Sequence, residues 1–458
     1  MAFTLLSLCL LSLQLAHPVF GAAPPYGQLS VSNGQVVGSS GQAVILRGMS
    51  LFWSSFSEGS PFYTADVVKQ LKCNWNANLV RAAMGVEEGS GYLSNQAAQL
   101  ALVQTVIQAA IDNGIYVIVD WHDHNAQNHK SQAISFFQNI ARQYGSNPNI
   151  IYETFNEPLQ VDRASVVKPY HVDVVAAIRA IDSKNIIVLG TPTWSQDVDV
   201  AANNPVSGSN LCYTLHYYAA THKQSLRDKA TAALNKKVCV FVTEYGTVSA
   251  DGNGGVDSTS SQEWWTFSEN NKISYANWAV DAKSEGSAAL NPGTSPSQVG
   301  SDSVLTASGK LVKAQLVGKS NGVSCSGGGG GATTTTTKAG GTTTTTKATT
   351  TTKSSGGGGG SATVSASISV TSTWNGGGQF SVVIKNTGSK AVCKVVFKIN
   401  LASGQTISGI WNADGSSPQY STPSWMNLAA GATYQDTGFT VSGGSATPSV
   451  TVVSATAC

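Results

Sequence analysis

The chain has 458 residues, which is enough for two or three domains of ordinary size. Hydrophobic residues make up 41% of it, so at least one sizeable core can be buried. Only 11% of the residues are charged, against roughly a quarter in typical globular proteins, and the formal net charge is +2. This composition lacks the electrostatic footprint of a nucleic-acid-binding protein and predicts a polar surface of Ser, Thr, Asn and Gly that suits an uncharged partner.

Residues 1–21 are predicted to form a secretory signal peptide. Their apolar run from Leu5 to Leu15 is too short to span a bilayer, and no later stretch is apolar enough for a membrane helix. Val19 and Gly21 supply small residues at the usual −3 and −1 cleavage positions. We therefore expect a secreted, extracellular protein.

Residues 22–325 alternate short apolar runs with helical patterns. The predicted strands end near Met49, Arg81, His122, Glu157, Gly190, His216, Glu244 and Trp278. Between them lie amphipathic stretches such as Asn95 to Asn113, which Gly114 is expected to terminate. Eight strand–helix units in roughly 300 residues predict an α/β fold, the (β/α)8 TIM barrel. A doubly wound open sheet is the competing fold, but no G-x-G-x-x-G motif follows the first strand.

Residues 326–361 are predicted to be a linker, because they consist mainly of Gly and Thr and contain no apolar residue larger than Ala. Residues 362–458 have short alternating runs, many Gly and Thr, and no convincing helical pattern. This part of the chain predicts a small all-β sandwich.

The cysteines fit an oxidising compartment. Of the seven, Cys9 leaves with the signal peptide, and no C-x-x-C spacing occurs, so the other six favour disulfides over metal ligands. The linker sets Cys393 and Cys458 apart as the natural bridge of the second domain. The remaining four allow three pairings, which the sequence leaves open: Cys73, Cys212, Cys239 and Cys325.

Polar residues cluster at the predicted C-terminal ends of the strands, the rim where barrel enzymes place their active sites. They are Arg81, His122, Asn156, Glu157, His216, Tyr218, Glu244 and Trp278. A lone glutamate at a strand end is more often a solvated surface group. However, Glu157 and Glu244 follow the fourth and seventh predicted strands, which lets them face each other across the barrel mouth. Glycosidic cleavage needs such a pair, with one proton donor to the leaving oxygen and one carboxylate at the anomeric carbon.

Seven motifs carry a family resemblance between about residues 28 and 322. They are NLVRAAM, VIVDWH, IIYETFNEP, VLGTPTWSQDVD, TLHYYAATH, VTEYG and SYANWAVDAKSEGSAAL. In this order they resemble the glycoside hydrolase family 5 cellulases. The resemblance implies a retaining mechanism without a cofactor, with Glu157 as the general acid/base and Glu244 as the nucleophile. In such enzymes the two carboxyl groups lie about 5–5.5 Å apart.

The resemblance also implies supporting roles around these glutamates. Arg81 would keep Glu244 ionised and oriented, and Tyr218 would hydrogen-bond the same carboxylate. Asn156 would hydrogen-bond the 2-hydroxyl of the sugar in the cleavage subsite. The other polar residues lining that subsite would be His122 and His216.

Three tryptophans are expected to contact sugar, because an aromatic face buries the flat C–H faces of β-1,4-linked glucose favourably. Trp278 would stack on the sugar at the cleavage subsite, and Trp53 and Trp194 would be further platforms. Lys283 and Glu285 match polar sugar contacts in the family.

One departure and one alternative concern histidines. Many family members carry a His after the first strand, where this chain has Met49 or Ser50, which puts one substrate hydroxyl contact in doubt. The sequence DWHDH, followed by His129, groups potential metal ligands, but no H-E-x-x-H spacing exists. We therefore expect no metal site, and a sugar contact explains the position of His122 better.

The second domain resembles the family 2 cellulose-binding modules through the stretches STWNGGGQFSVVIKNTG, SGIWNADG and TPSWMNLAAGATYQDTGF. The resemblance implies that Trp374, Trp411 and Trp425 form an exposed coplanar trio that lies flat on crystalline cellulose. Bacterial modules of this family usually bridge an early Cys to the C-terminal one. This chain lacks the early Cys, so Cys393 must substitute if a bridge forms with Cys458.

The leading functional hypothesis is a monomeric endo-β-1,4-glucanase that acts on cellulose or a related β-glucan, with neither nucleic acid nor membrane as a partner. A mannanase or mixed-linkage glucanase is the alternative within the same chemistry, because family 5 hosts several polysaccharide backbones. A different class, a non-catalytic carbohydrate-binding or expansin-like wall-loosening protein, is disfavoured because Asn156, Glu157 and Glu244 are intact.

Overall fold

The first of two structural units, residues 1–329, is built around a closed barrel of eight strands. The computed structural model describes residues 23–325, 350–353, 363–374, 376–423, 426–435 and 437–458, so the predicted signal peptide lies outside the described residues. In chain order the barrel strands are β1 Arg47–Leu51, β2 Leu79–Gly85, β3 Tyr116–His122, β4 Ile150–Glu153, β5 Ile186–Leu189, β6 Leu211–Tyr218, β7 Cys239–Gly246 and β8 Tyr275–Val280. Each strand pairs in parallel with its neighbours, and β8 closes the barrel against β1. The predicted TIM barrel is confirmed.

Helices surround this barrel. Within residues 23–325 the longer ones are α1 Ala65–Trp75, α2 Gln96–Asn113, α3 Lys130–Tyr144, α4 Lys168–Arg179, α5 Val198–Asn203, α6 Gln224–Asn235, α7 Ser258–Asn271 and α8 Ala307–Val317. Helix α2 follows the predicted stretch and ends at Gly114, whose φ of 62° is a left-handed conformation that suits glycine. Helix α1 begins after Thr64, whose side chain accepts a hydrogen bond from the backbone N–H of Val67. No helix in the described residues is long and apolar enough to cross a membrane.

The two-residue period of the strands explains where the polar site lies. Low in the barrel the side chains form one apolar cluster, which includes Leu79 of β2, Ile118 of β3 and Ile151 of β4. Two residues further along the same strands come Arg81, Asp120 and Glu153, all fully buried. The N-terminal hairpin, Ser30–Ser32 with Gln35–Val37, adds apolar side chains to the lower cluster. The barrel interior is therefore apolar at one end and charged at the end where the strands finish.

Strand β7 contains a bulge. Thr214 pairs with Phe241, but His216 pairs with Glu244, so β7 has one residue more than β6 over this interval. As a result the adjacent residues Thr243 and Glu244 are both buried, and both reach groups inside the barrel.

Three disulfides join all six of the cysteines outside the predicted signal peptide. The barrel contains Cys73–Cys325 and Cys212–Cys239, which settles the pairing that the sequence left open. The expected bridge in the second domain, Cys393–Cys458, is confirmed.

The second unit is residues 330–458, and the regular elements among its described residues are all β-strands, as predicted. One sheet contains Thr350–Lys353, Thr363–Trp374, Gly377–Asn386, Thr406–Trp411, Thr433–Tyr434 and Gly438–Ser442. The other contains Val392–Asn400, Asp414–Ser416, Gln419–Ser421 and Ser449–Ala457. An apolar core that includes Phe380, Phe397 and Phe439 is buried in this unit.

The predicted linker and the predicted tryptophan trio lie only partly within the described residues. Residues 350–353, inside the predicted linker, form a strand antiparallel to Thr363–Trp374; the rest of 326–361 is outside the described residues. The backbones of Trp374 and Trp411 lie in strands, but their side chains, and Trp425 entirely, are likewise outside the described residues. The predicted tryptophan trio stays a prediction.

Candidate active site

Arg81 of β2 is the centre of the charged end of the barrel, and its side chain is 0% exposed. Its Nε lies 2.7 Å from Glu153 Oε2, its Nη1 lies 2.9 Å from Glu244 Oε2, and its Nη2 lies 2.9 Å from Asp120 Oδ2. The same Nη2 donates to Asn156 Oδ1 at 2.7 Å. Burial opposes the charge of Arg81, but the three carboxylates outweigh it and raise the pKa of the guanidinium above its usual value. One cation thus orients three buried carboxylates.

Both carboxylate oxygens of Glu244 are held. Arg81 donates to Oε2, and the Tyr218 hydroxyl donates to Oε1 at 2.8 Å. Tyr218 can reach this position because Gly246 leaves room for its ring: a Cβ at Gly246 would lie 2.2 Å from the ring atom Cδ1. Burial and the charge of Glu157 raise the pKa of Glu244, while Arg81 and Tyr218 act in the opposite direction.

Two histidines hold Glu157. His216 Nδ1 lies 2.9 Å from Oε1, and His124 Nε2 lies 3.1 Å from Oε2. Burial favours the neutral acid, but the hydrogen bonds from His124 and His216 outweigh it and lower the pKa of Glu157 to about 2. Burial disfavours the charge of His216, but Glu244 and the other nearby carboxylates outweigh it and raise its pKa to about 9. At neutral pH, therefore, a proton lies on the His216 side of its hydrogen bond to Glu157.

The two glutamates face each other across the barrel mouth. A carboxylate oxygen of Glu157, one of Glu244 and a ring nitrogen of His216 all lie within 4.8 Å of one another. Such a triplet could in principle hold a metal ion, but each of these groups already has a hydrogen-bond partner. Carboxylate oxygens no more than 4.8 Å apart are compatible with the approximately 5–5.5 Å between carboxyl groups of retaining glycosidases.

Aromatic side chains form one wall of this site. The ring of Trp278, 5% exposed, stacks on His122 with centroids 5.1 Å apart, and Trp53 meets His122 edge-on at 4.0 Å. His122 Nδ1 lies 2.6 Å from Asp120 Oδ2, and burial together with Arg81 lowers the pKa of His122, so the ring is neutral. The predicted subsite residues Trp53, His122 and Trp278 are thus in mutual contact beside the glutamates.

The remaining predicted sugar contacts lie nearer the surface. Lys283 Nζ forms an ion pair with Glu285 at 2.6 Å, and it also lies 5.2 Å from the centroid of the Phe52 ring, which packs against Trp278. Trp194 is 40% exposed, which suits a platform at the rim. Ser50, one of the two residues expected at the position of the first-strand His, lies 3.3 Å from Arg81 Nη1 through its hydroxyl.

The turn that carries Trp194 is strained and attached to the loop of Glu157. Thr193, Trp194 and Ser195 have φ values of 59°, 54° and 55°, a left-handed conformation that L-residues rarely adopt. Trp194 N donates to Pro158 O at 2.9 Å, and Ser195 Oγ donates to Asn156 O at 2.7 Å. Such strain persists only where surrounding contacts fix it. Here those contacts tie the exposed ring to the residues on either side of Glu157.

The structure corrects two predicted strand ends. Strand β4 ends at Glu153, not near Glu157, which lies on the following loop. Arg81 lies within β2 rather than at its end. The DWHDH sequence is divided among three partners: Asp120 binds Arg81, His124 binds Glu157, and Asp123 binds His129 Nδ1 at 2.8 Å.

Sequence reasoning did not assign to the catalytic site several residues that complete it: Asp120, His124, Glu153, Ser195 and Thr243. The two-residue spacing of Asp120 and His122 on one strand was an available signal, because it places both on the same face. Thr243 gave no signal, since its inward position depends on the bulge in β7.

The profile of the cellulase family (glycosyl hydrolase family 5) matches residues 37–284, more than half of the chain. The chain belongs to this family. A second profile, the carbohydrate binding domain CBM49, matches residues 364–437. The predicted family 2 assignment of the second domain is therefore wrong, although the module does belong to a carbohydrate-binding family. The assignment rested on the stretches STWNGGGQFSVVIKNTG, SGIWNADG and TPSWMNLAAGATYQDTGF, whereas the missing early Cys pointed away from family 2.

Several known proteins are similar to this family 5 chain in sequence or in structure. Endoglucanase Z of Dickeya dadantii (strain 3937) is 50% identical over 283 residues, which are 62% of this chain and 65% of that protein. An endoglucanase of Clostridium saccharobutylicum is 45% identical over 328 residues, 70% of each chain. A solved structure from Cytophaga hutchinsonii has a TM-score of 0.62 and 48% identity, covering 64% of this chain and 94% of that one. The catalytic domain of Thermobifida fusca endoglucanase Cel5A has a TM-score of 0.61 and 31% identity, covering 64% of this chain and all of that one (100%).

Proposed function

We propose that this family 5 glycoside hydrolase cleaves internal β-1,4-glucosidic bonds of cellulose with retention of configuration. The observation that carries the proposal is the pair of opposed glutamates, Glu157 and Glu244, within 4.8 Å of each other at the barrel mouth. The relatives described above are named endoglucanases, which supports the same substrate class.

The geometry supports a double displacement. In the first step Glu244, aligned by Arg81 and Tyr218, attacks the anomeric carbon, and Glu157 protonates the leaving oxygen. In the second step Glu157 accepts a proton from a water molecule, which displaces Glu244 from the sugar. Trp278, which is 5% exposed and stacked on His122, is the aromatic side chain that we expect a glucose ring to contact here.

The substrate backbone is tested by comparing carboxymethylcellulose with mannan and mixed-linkage glucan. We expect the chain to release reducing ends from carboxymethylcellulose at least about tenfold faster, in kcat/KM, than from mannan, which corresponds to about 1.4 kcal/mol of discrimination. Negligible activity on the cellulose derivative with rapid mannan hydrolysis would replace the proposal with a mannanase.

We further propose that the second unit holds the enzyme on insoluble cellulose and that the protein is secreted as a monomer. The CBM49 match supports carbohydrate binding by the second unit, and the disulfides support secretion. A protein consisting of residues 22–325 is expected to hydrolyse a soluble substrate as fast as the full chain. It should bind crystalline cellulose at least about tenfold more weakly, because tethering acts through effective concentration. Equal retention of both forms on cellulose would show that the second unit does not bind it.

A further inference from the structure

A continuous chain of hydrogen bonds runs behind the two glutamates and joins them. Glu244 is bonded to Arg81 Nη1, and Arg81 Nε donates to Glu153 Oε2 at 2.7 Å. Thr243 Oγ1 donates to Glu153 Oε1 at 2.5 Å. His216 continues the chain, with Nε2 at 2.9 Å from Thr243 Oγ1 and Nδ1 at 2.9 Å from Glu157 Oε1.

The direction of each hydrogen bond in this series follows from which atoms carry a hydrogen. Burial favours neutral Glu153, but Arg81 outweighs it and lowers its pKa, so this carboxylate only accepts. The single hydrogen of the Thr243 hydroxyl therefore points to Glu153, and its oxygen accepts from His216 Nε2–H. Nε2 keeps its proton in either charge state of the ring. The nitrogen that gains and loses a proton is Nδ1, which faces Glu157.

We propose that Glu153 and Thr243 are positioning residues that hold the catalytic proton on the His216–Glu157 pair. This inference rests on the proposed function. As Glu244 bonds to the anomeric carbon, the proton on His216 Nδ1 passes to Glu157 and from there to the leaving oxygen. His216 is left neutral with its hydrogen on Nε2, Glu157 is again a carboxylate, and the departing sugar has gained the proton. In the second step the proton of the attacking water returns by the same route to Nδ1.

The charges around His216 link the formation of the ester at Glu244 to the release of the proton from His216. It is faced by Glu153 and Glu157 from β4 and its loop, by Glu244 from β7 and by neutral His122 from β3. Among the charges that favour protonated His216, Glu244 is the strongest. Formation of the ester neutralises Glu244, so the affinity of His216 for its proton falls at the moment when the leaving oxygen needs one.

The test uses Thr243→Val, which removes the hydroxyl with little change of shape, and Thr243→Ser, which keeps it. For the valine variant we expect kcat/KM on cellotetraose to fall by about 10-fold to 100-fold, part of the range of general acid catalysis. The alkaline limb of the pH profile should move to lower pH. The sign follows because His216 Nε2–H then loses the hydroxyl oxygen that accepts its hydrogen bond, and this bond favours the protonated ring, so the proton is released at a lower pH. The serine variant should match the unsubstituted enzyme in both respects.

A second substrate separates proton delivery from structural damage. Dinitrophenyl β-cellobioside has a leaving group that needs no proton, so its kcat/KM is expected to change less than about threefold in Thr243→Val. Equal losses on both substrates, an unmoved alkaline limb, or failure of serine to restore activity would overturn the inference. If the unsubstituted enzyme cleaves neither substrate, it is the proposed function that fails.

A measurement on the unsubstituted enzyme does not depend on the folding of any variant. Nitrogen-15 NMR of the His216 ring should show Nε2 protonated across the pH range and only Nδ1 titrating. A neutral ring with its hydrogen on Nδ1 would contradict the proposed direction of the hydrogen bonds from His216 to Thr243 and Glu153.

Discussion

Replacing Glu244 with glutamine is expected to lower kcat on carboxymethylcellulose by at least about 10⁴-fold, because an amide cannot act as the nucleophile. The fold should survive, since glutamine has the same shape and can still bond to Arg81 and Tyr218. Glu157→Gln is expected to slow the same substrate by about 10²-fold to 10⁴-fold, the usual contribution of a general acid. Reducing-end release measures both variants, with Glu87→Gln as a control near the rim but outside the catalytic pair.

Azide distinguishes the two roles, because it can react at whichever face of the sugar has lost its carboxylate. With dinitrophenyl β-cellobioside, Glu244→Gly plus azide should yield the α-glycosyl azide. Glu157→Gly plus azide should yield the β-glycosyl azide, because azide then attacks the ester on Glu244. Exchanged configurations would reverse the assignments of acid/base and nucleophile, and unchanged reducing-end release in Glu157→Gln would remove Glu157 from catalysis.

Arg81→Met is expected to cost about 3–5 kcal/mol in the free energy of unfolding at neutral pH, because it leaves buried carboxylates without their cation. This loss in the free energy of unfolding should be smaller at acidic pH. In the native protein Arg81 lowers the pKa of Glu153 in the folded state, so its stabilisation is present above the ordinary carboxylate pKa and disappears as the pH falls through the folded value. Chemical denaturation at pH 7 and at about pH 4 measures both effects.

Arg47→Met is the matched control for this prediction. Arg47 also pairs with a carboxylate, Glu269, through Nε at 2.7 Å and Nη2 at 2.6 Å. Glu269 is 23% exposed and can regain water when its partner is removed, so the loss should be smaller. A larger loss in Arg47→Met than in Arg81→Met would contradict the role of Arg81 in holding the charged cluster of the barrel mouth.

The barrel was predictable because its signal is periodic. Eight apolar runs separated by helical patterns indicate the fold without any knowledge of side-chain contacts, and the glutamate pair follows from strand order. The two-residue period also explains why Arg81 is buried within β2 while still reaching Glu244. The two-residue period does not predict the bulge of β7, which places Thr243 beside Glu153.

The positions of site residues on loops could not be predicted from the sequence. The position of Glu157 beyond the end of β4 and the left-handed turn at Trp194 depend on hydrogen bonds between loops that lie far apart in sequence. For the same reason, His124 was grouped with potential metal ligands although it binds Glu157. Family assignment of the second unit failed because a sandwich core and a set of tryptophans are common to several kinds of carbohydrate-binding module.

The disulfide Cys73–Cys325 has a mechanical consequence. The described residues of the barrel unit end at Cys325, which is bonded to Cys73 in α1 at a sequence separation of 252. If the second unit binds a polymer as proposed, a pull from it on the barrel enters at Cys325 and passes through the disulfide into α1. Helix α8 and everything else between the two cysteines lies inside a covalent loop and is shielded from that pull. Reduction of the bond would make α8 the first element to be peeled away under load.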